Sequence, residues 1–251
     1  MPRRSVIRLV QDWTKVTYPA LPLGSCSLFS NWVGSDPQIL QASTEPVYLP
    51  DLESLNDQNF LTDGVINWYM HLLCISRPQV YFFSSLVYSN ILHERQLATN
   101  VNDYQTFLRY GKGVLLSKCN RVFFPINQPL HWCLAVAYPN DLRLSYYDPM
   151  GGQDNLCLQL LEGFLQARGR AYQSESYLNT NWTHEFVGPY TSPRNIPGQT
   201  DGHSCGLFCC ALADELSALG PDFSWPSSWG YSQADMVPFR KLVRCLMMAY
   251  E

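Results

Sequence analysis

Between residues 61 and 73 the apolar positions fall at 65, 66, 68, 69, 72 and 73. That spacing puts them on one face of a helix. Thr62 or Asp63 suits its start, because a short oxygen-bearing side chain accepts from free N–H groups and a carboxylate complements the helix dipole. A second helix is expected from Tyr81 to His93, and a third from Asn102 to Tyr110, closed by Gly111. The pattern then changes. Arg121–Ile126, His131–Tyr138 and Leu142–Asp148 are rich in Val, Phe, Tyr and Leu, with Pro, Asn and Gly between them. These read as three strands, the last two joined by a tight turn at Pro139-Asn140-Asp141. Helical spacing returns at Leu156–Ala167, closed by Gly169. The stretch from Ser174 to Gly202 is polar, has no period and reads as loop. Cys205 opens an apolar helix with residues 207, 208, 211, 212, 216 and 219 on one face.

Helices, then strands, then helices predict an α+β domain with a central, mostly antiparallel sheet flanked by helices. Its expected span is 46–251. Residues 1–45 carry a short amphipathic piece, Val6–Val16, and are then broken by Pro19, Pro22, Gly24, Gly34 and Pro37. They are read as an N-terminal extension.

Composition narrows the function. Of 251 residues, 46% are hydrophobic, which suffices for a sizeable core, and 15% are charged, too few for a disordered chain. The net charge of −4 argues against a nucleic-acid partner. The cluster Arg3, Arg4 and Arg8 reads as a solvated end. No apolar run has the length of a signal peptide or a membrane span. Nine cysteines include no Cys-x-x-Cys pair, so the usual zinc spacings are absent and no metal is expected. Most lie in apolar surroundings, which fits a reducing compartment, nuclear or cytoplasmic. The protein is expected to be soluble, off the membrane and monomeric.

A nucleophilic cysteine needs a base, a group that orients the base, and donors for the oxyanion. Cys205 is expected at a helix N-terminus, where the dipole and free N–H groups favour thiolate. Gly206 then leaves room for a substrate backbone. Cys209 and Cys210 fall inside the apolar helix and read as core. Of five histidines, His71, His93, His184 and His203 are poorly placed in sequence to serve as base. His131 opens one strand and Asp148 ends the next. An even-numbered turn puts both on one face of the hairpin, directly opposite or one pair apart. A carboxylate there can hold the imidazole Nδ1–H. Gln199, six residues before Cys205, can donate to an oxyanion together with the Cys205 N–H.

Four stretches, Leu130–Val136, Leu144–Gly152, Gln199–Phe208 and Phe60–Met70, resemble the motifs of the ubiquitin-like-protein-specific proteases. That family contains the SUMO-deconjugating cysteine proteases and their deneddylating relatives. The order His, Asp, Gln, Cys agrees. So do the 17 residues from His131 to Asp148 and the six from Gln199 to Cys205. The resemblance covers about residues 46–250 and implies a papain-like fold without a cofactor. It assigns His131, Asp148 and Cys205 as a triad and Gln199 as the oxyanion donor. It places Trp132, Phe60 and Asp63 along a substrate channel for a C-terminal Gly-Gly. The implied partner is SUMO or its conjugates, for processing or isopeptide cleavage. Ser204 and Phe60 depart from the family pattern, which usually has Asp and Trp there. Alternatives are a deneddylase or deubiquitinase of the same family, or an acetyltransferase of the same clan. The last needs a basic cluster to hold the phosphates of acetyl-coenzyme A, and beyond the solvated end at Arg3, Arg4 and Arg8 the sequence shows none. A catalytically dead binding module is a further alternative, and the four filled catalytic positions argue against it.

Overall fold

The structure is a computed structural model that describes residues 46–97, 104–220 and 225–249. The extension 1–45, with its amphipathic piece, lies outside the described residues. Helix α1 (Leu49–Ser54) is followed by α2 (Asp63–Ser76). Thr62 caps α2 by accepting from the Val65 N–H at 3.4 Å, and its hydroxyl donates to Asp51 Oδ1 at 2.6 Å. Asp51 thereby joins the two helices.

The helix expected at Tyr81–His93 is split. Val80–Phe82 form strand β1, and helix α3 (Leu86–Leu97) begins after it. The run Val80-Tyr81-Phe82-Phe83 is β-branched and aromatic, and periodicity over so short a segment does not separate strand from helix. The parallel pairing of Val80–Phe82 with residues 121–123 decides it. Of the third expected helix, the described part is a single 3₁₀ turn at Gln105–Phe107, and Gly111 lies at φ +65°.

Strands β2 (Arg121–Gln128), β3 (His131–Tyr138) and β4 (Arg143–Tyr147) form the expected antiparallel meander. Helix α4 (Asn155–Ala171) is capped by Asp154, which accepts from the Cys157 N–H at 2.9 Å. It passes through Gly169 where the sequence suggested a stop. That glycine serves close packing: a Cβ there would stand 2.4 Å from the Asn179 nitrogen. Strand β5 (Thr183–Val187) falls in the stretch expected to be loop and pairs in parallel with β4. Helices α5 (Cys205–Ala218) and α6 (Met236–Ala249) complete the order. The sheet runs β1-β2-β3-β4-β5, with antiparallel pairing at its centre and parallel pairing at both outer strands.

Alternation along β3 divides the core. Trp132, Leu134, Val136 and Tyr138 pack with α2, α5 and α6. Cys133, Ala135 and Ala137 pack with α3 and α4 on the other face. The sheet is therefore sandwiched between two helical layers. Among the described residues no helix is long and apolar enough to cross a membrane, and the described cysteines are all free thiols.

Candidate active site

The turn between β3 and β4 is even. Tyr138 opposes Arg143 and Leu134 opposes Tyr147, so Asp148 continues the strand beside Cys133, one diagonal step from His131. The parity argument thus meets the observed register. Asp148 Oδ1 lies 2.9 Å from His131 Nε2. The nitrogen differs from the expected Nδ1, and the physical consequence is that Nδ1 is left for a second partner. The carboxylate is fixed on its other sides. Oδ1 accepts from the Met150 N–H at 2.7 Å and Oδ2 from the Gly152 N–H at 3.0 Å. A Cβ at Gly152 would stand 2.4 Å from Oδ2, so the loop closes this tightly only with glycine there.

These contacts set the protonation. Hydrogen bonding to Asp148 first, then to Cys133 and Cys205, pushes His131 up to about 12 against partial burial. Burial disfavours the ionised Asp148, yet the bonds from His131 and the Met150 N–H hold it below the usual carboxylate value. His131 is therefore an imidazolium facing a carboxylate at neutral pH. Because His131 is the first residue of β3, its ring stands at the end of the sheet. There it meets Cys205 from the helical layer of α5 as well as Cys133 on its own strand.

Cys205 is the first residue of α5 and 1% exposed. The residue before it, Ser204, makes no side-chain cap to the helix. Its hydroxyl donates to Asp201 Oδ2 at 2.6 Å. The role expected of Gly206 changes. A Cβ there would meet Leu61 Cβ and Cδ1 at 3.1 Å and Ile66 Cδ1 at 3.2 Å. This glycine lets the start of α5 approach α2, and the neighbour is protein rather than substrate. Cys209 and Cys210 are fully buried, and burial raises both thiols far above their ordinary values.

Gln199 stands in the loop before α5. Its backbone N–H donates to the Pro149 carbonyl at 2.9 Å, tying it to the loop that holds Asp148. Its side-chain amide donates to the Asp201 carbonyl at 2.7 Å, and its Oε1 is buried without a hydrogen-bond partner. Sequence reasoning missed Asp201. Its Oδ1 accepts from the His203 and Ser204 N–H groups at 3.1 and 2.9 Å, and its Oδ2 from Gln233 Nε2 at 2.8 Å. The available signal was the Asp-Gly pair at 201–202, three residues before Ser204. Arg240, also missed, is buried and donates to the His203 and Ser54 carbonyls at 3.3 and 3.0 Å. It pins the segment entering α5 to the end of α1.

The other histidines sit elsewhere. His184 pairs with Glu162 at 2.9 Å, His203 lies 3.7 Å from Asp201, and His71 packs against the Phe82 ring. Trp132 is 3% exposed and its indole N–H donates to the Leu61 carbonyl at 2.9 Å. Phe60, next to that carbonyl, is 40% exposed. Asp63 is exposed at the first turn of α2.

Residues 59–244 match the sequence profile of the Ulp1 protease family, C-terminal catalytic domain. This chain belongs to that family. The Ulp1-family match spans α2 through most of α6 and contains every residue placed above at the His131–Cys205 centre. Sentrin-specific protease 2 of Homo sapiens is 30% identical over 200 residues, covering 76% of this chain and 32% of that protein. A sentrin-specific protease of Caenorhabditis elegans is 26% identical over 209 residues, covering 80% of this chain and 28% of that protein. The chain thus spans a third or less of the length of these curated relatives. The fold is similar to that of the C-terminal Ulp1 protease domain solved in complex with Smt3, the yeast ortholog of SUMO. The TM-score is 0.61 at 19% identity, over 86% of this chain and 93% of that one.

Proposed function

We propose that residues 46–251 form a cysteine protease domain that cuts after the C-terminal Gly-Gly of SUMO, in precursors and in isopeptide conjugates. The 2.9 Å contact between His131 Nε2 and Asp148, with Cys205 brought to the same imidazole by α5, carries this reading. The names of the human and nematode relatives, and the Smt3 complex of the Ulp1 domain, support SUMO as the modifier.

In this reading the Cys205 sulfur attacks the glycine carbonyl and its proton resides on His131. Asp148 fixes the ring through Nε2 and balances its charge, as a carboxylate does in such triads. The tetrahedral oxyanion takes N–H donors from the Cys205 backbone and the Gln199 amide. The Gln199 amide nitrogen donates to Asp201 twice, to its carbonyl at 2.7 Å and to its Oδ1 at 3.3 Å, and the substrate oxyanion takes over the longer of these bonds. His131 then gives its proton to the leaving amine, and water releases the acyl group from the sulfur. Trp132 and Phe60 flank the path to Cys205, joined through Leu61, and exclude a side chain at the cleaved residue. Asp63 faces the modifier from the start of α2. No step calls for a cofactor. The free thiols suit a nuclear or cytoplasmic setting.

Incubation with a SUMO precursor, followed by mass measurement, tests the reading. The expected product ends at Gly-Gly. An intact precursor, or equal processing of a precursor whose cleavage site reads Gly-Ala, contradicts it.

A further inference from the structure

Cys133 has no task in the proposed chemistry, yet it stands at its centre. We propose that His131, Cys133 and Asp148 form a binding site for a thiophilic divalent cation, Zn²⁺ by its chemistry, and that the bound ion withdraws His131 from catalysis. The competition with catalysis rests on the protease reading; the site itself does not.

The three residues each offer one ligand atom, nitrogen, sulfur and oxygen, and these atoms all lie within 4.8 Å of one another. Strand geometry brings them together. Positions 131 and 133 share a face of β3 because side chains alternate, and Asp148 arrives from the end of β4 at the level of Cys133. No spacing motif announces such a site, which is why no metal is expected from the sequence. Around a tetrahedral ion, bonds of about 2.0–2.3 Å separate the donors by roughly 3.3–3.6 Å. The cluster therefore needs a contraction of at most about 1.5 Å at its widest.

The donor set selects the metal. A thiolate beside an imidazole favours Zn²⁺ and disfavours Mg²⁺ and Ca²⁺, which seek oxygen. The donors are also held in place. Cys133 and Asp148 are buried, and Asp148 is oriented by the Met150 and Gly152 N–H groups. Fixed ligands of this kind lose little freedom when an ion binds. His131 retains some exposure and provides the way in. Binding displaces the thiol proton of Cys133 and the proton shared between His131 and Asp148, and both go to solvent. With its lone pair on the metal, His131 can neither take nor return the Cys205 proton.

The test uses the full chain, free of other metals, with Co²⁺ alone as the probe and then Zn²⁺ alone. One Co²⁺ per chain is expected, with a thiolate-to-cobalt charge-transfer band. The band should persist in Cys205→Ser and vanish in Cys133→Ser. His131→Ala, which keeps the Cys133 thiol, should weaken retention by more than about tenfold, as losing a ligand costs at least what losing an outer-shell partner does. A band that survives Cys133→Ser, or that disappears in Cys205→Ser, means the nucleophile is the sulfur donor and overturns the site. Full retention in His131→Ala overturns it as well. Zn²⁺ retention without inhibition of wild-type cleavage overturns the competition.

Discussion

The side-chain amide of Gln199 donates to the carbonyl of Asp201 at 2.7 Å, and the Asp201 carboxylate in turn accepts from the two N–H groups that precede Cys205. One aspartate therefore sets both the proposed oxyanion donor and the entry to the helix of the proposed nucleophile. Burial disfavours its charge, but the bonds from Ser204 and His203 hold its carboxyl below the ordinary value. Asp201→Ala should lower kcat toward the loss of about 10²–10³ seen when an oxyanion donor is removed, with little change in KM. Asp201→Asn keeps an acceptor and should recover part of it. Adding Gln199→Ala to Asp201→Ala should cost little more, because both act through the same amide. Steady-state kinetics on a SUMO precursor decide this, and a change confined to KM contradicts it.

Two glycines separate stability from chemistry. At Gly206 an added methyl meets Leu61 and Ile66 at 3.1–3.2 Å, so Gly206→Ala should destabilise by about 1–3 kcal/mol through overpacking. At Gly152 the methyl meets the Asp148 carboxylate. Gly152→Ala should displace that group and reduce turnover well beyond any loss of stability. Urea denaturation and kcat, measured on both variants, should rank them oppositely.

The His131–Asp148 pair makes a signed prediction for stability. His131 is pushed up to about 12 in the folded protein, above an unfolded value of about 6.5. Its contribution is complete below about pH 6.5 and is lost as pH rises toward 12. The depressed Asp148 contributes above the usual carboxylate range and loses its share in acid. With chelator present, the urea midpoint of the wild type should fall from pH 6 to pH 9 more than that of Asp148→Asn. Parallel slopes would remove the pair from the stability account.

Much of this was legible in the sequence where periodicity is strong. Helix α2, the β2–β4 meander and the apolar α5 follow from spacing alone, and hairpin parity put His131 and Asp148 on one face. The misses share a cause. Strand β1 is too short to show a period, and β5 is polar at the sheet edge, with Glu185 bound by Arg143 and Ser145 at 2.9 Å. Both form because a distant strand supplies their partners. The same holds at the centre for Arg240, which meets Ser54 and His203 through contacts that no local pattern encodes. Gly206 likewise responds to Leu61 and Ile66, far along the chain.

The central claim is that Cys205, and no neighbouring thiol, attacks the carbonyl after Gly-Gly. SUMO carrying an electrophile in place of its C-terminal carboxylate tests it in one measurement, the mapping of the covalent adduct by peptide mass. The account predicts a single adduct on Cys205, abolished in Cys205→Ser and strongly slowed in His131→Ala. An adduct on Cys133, Cys209 or Cys210, or labelling that persists in Cys205→Ser, would contradict it.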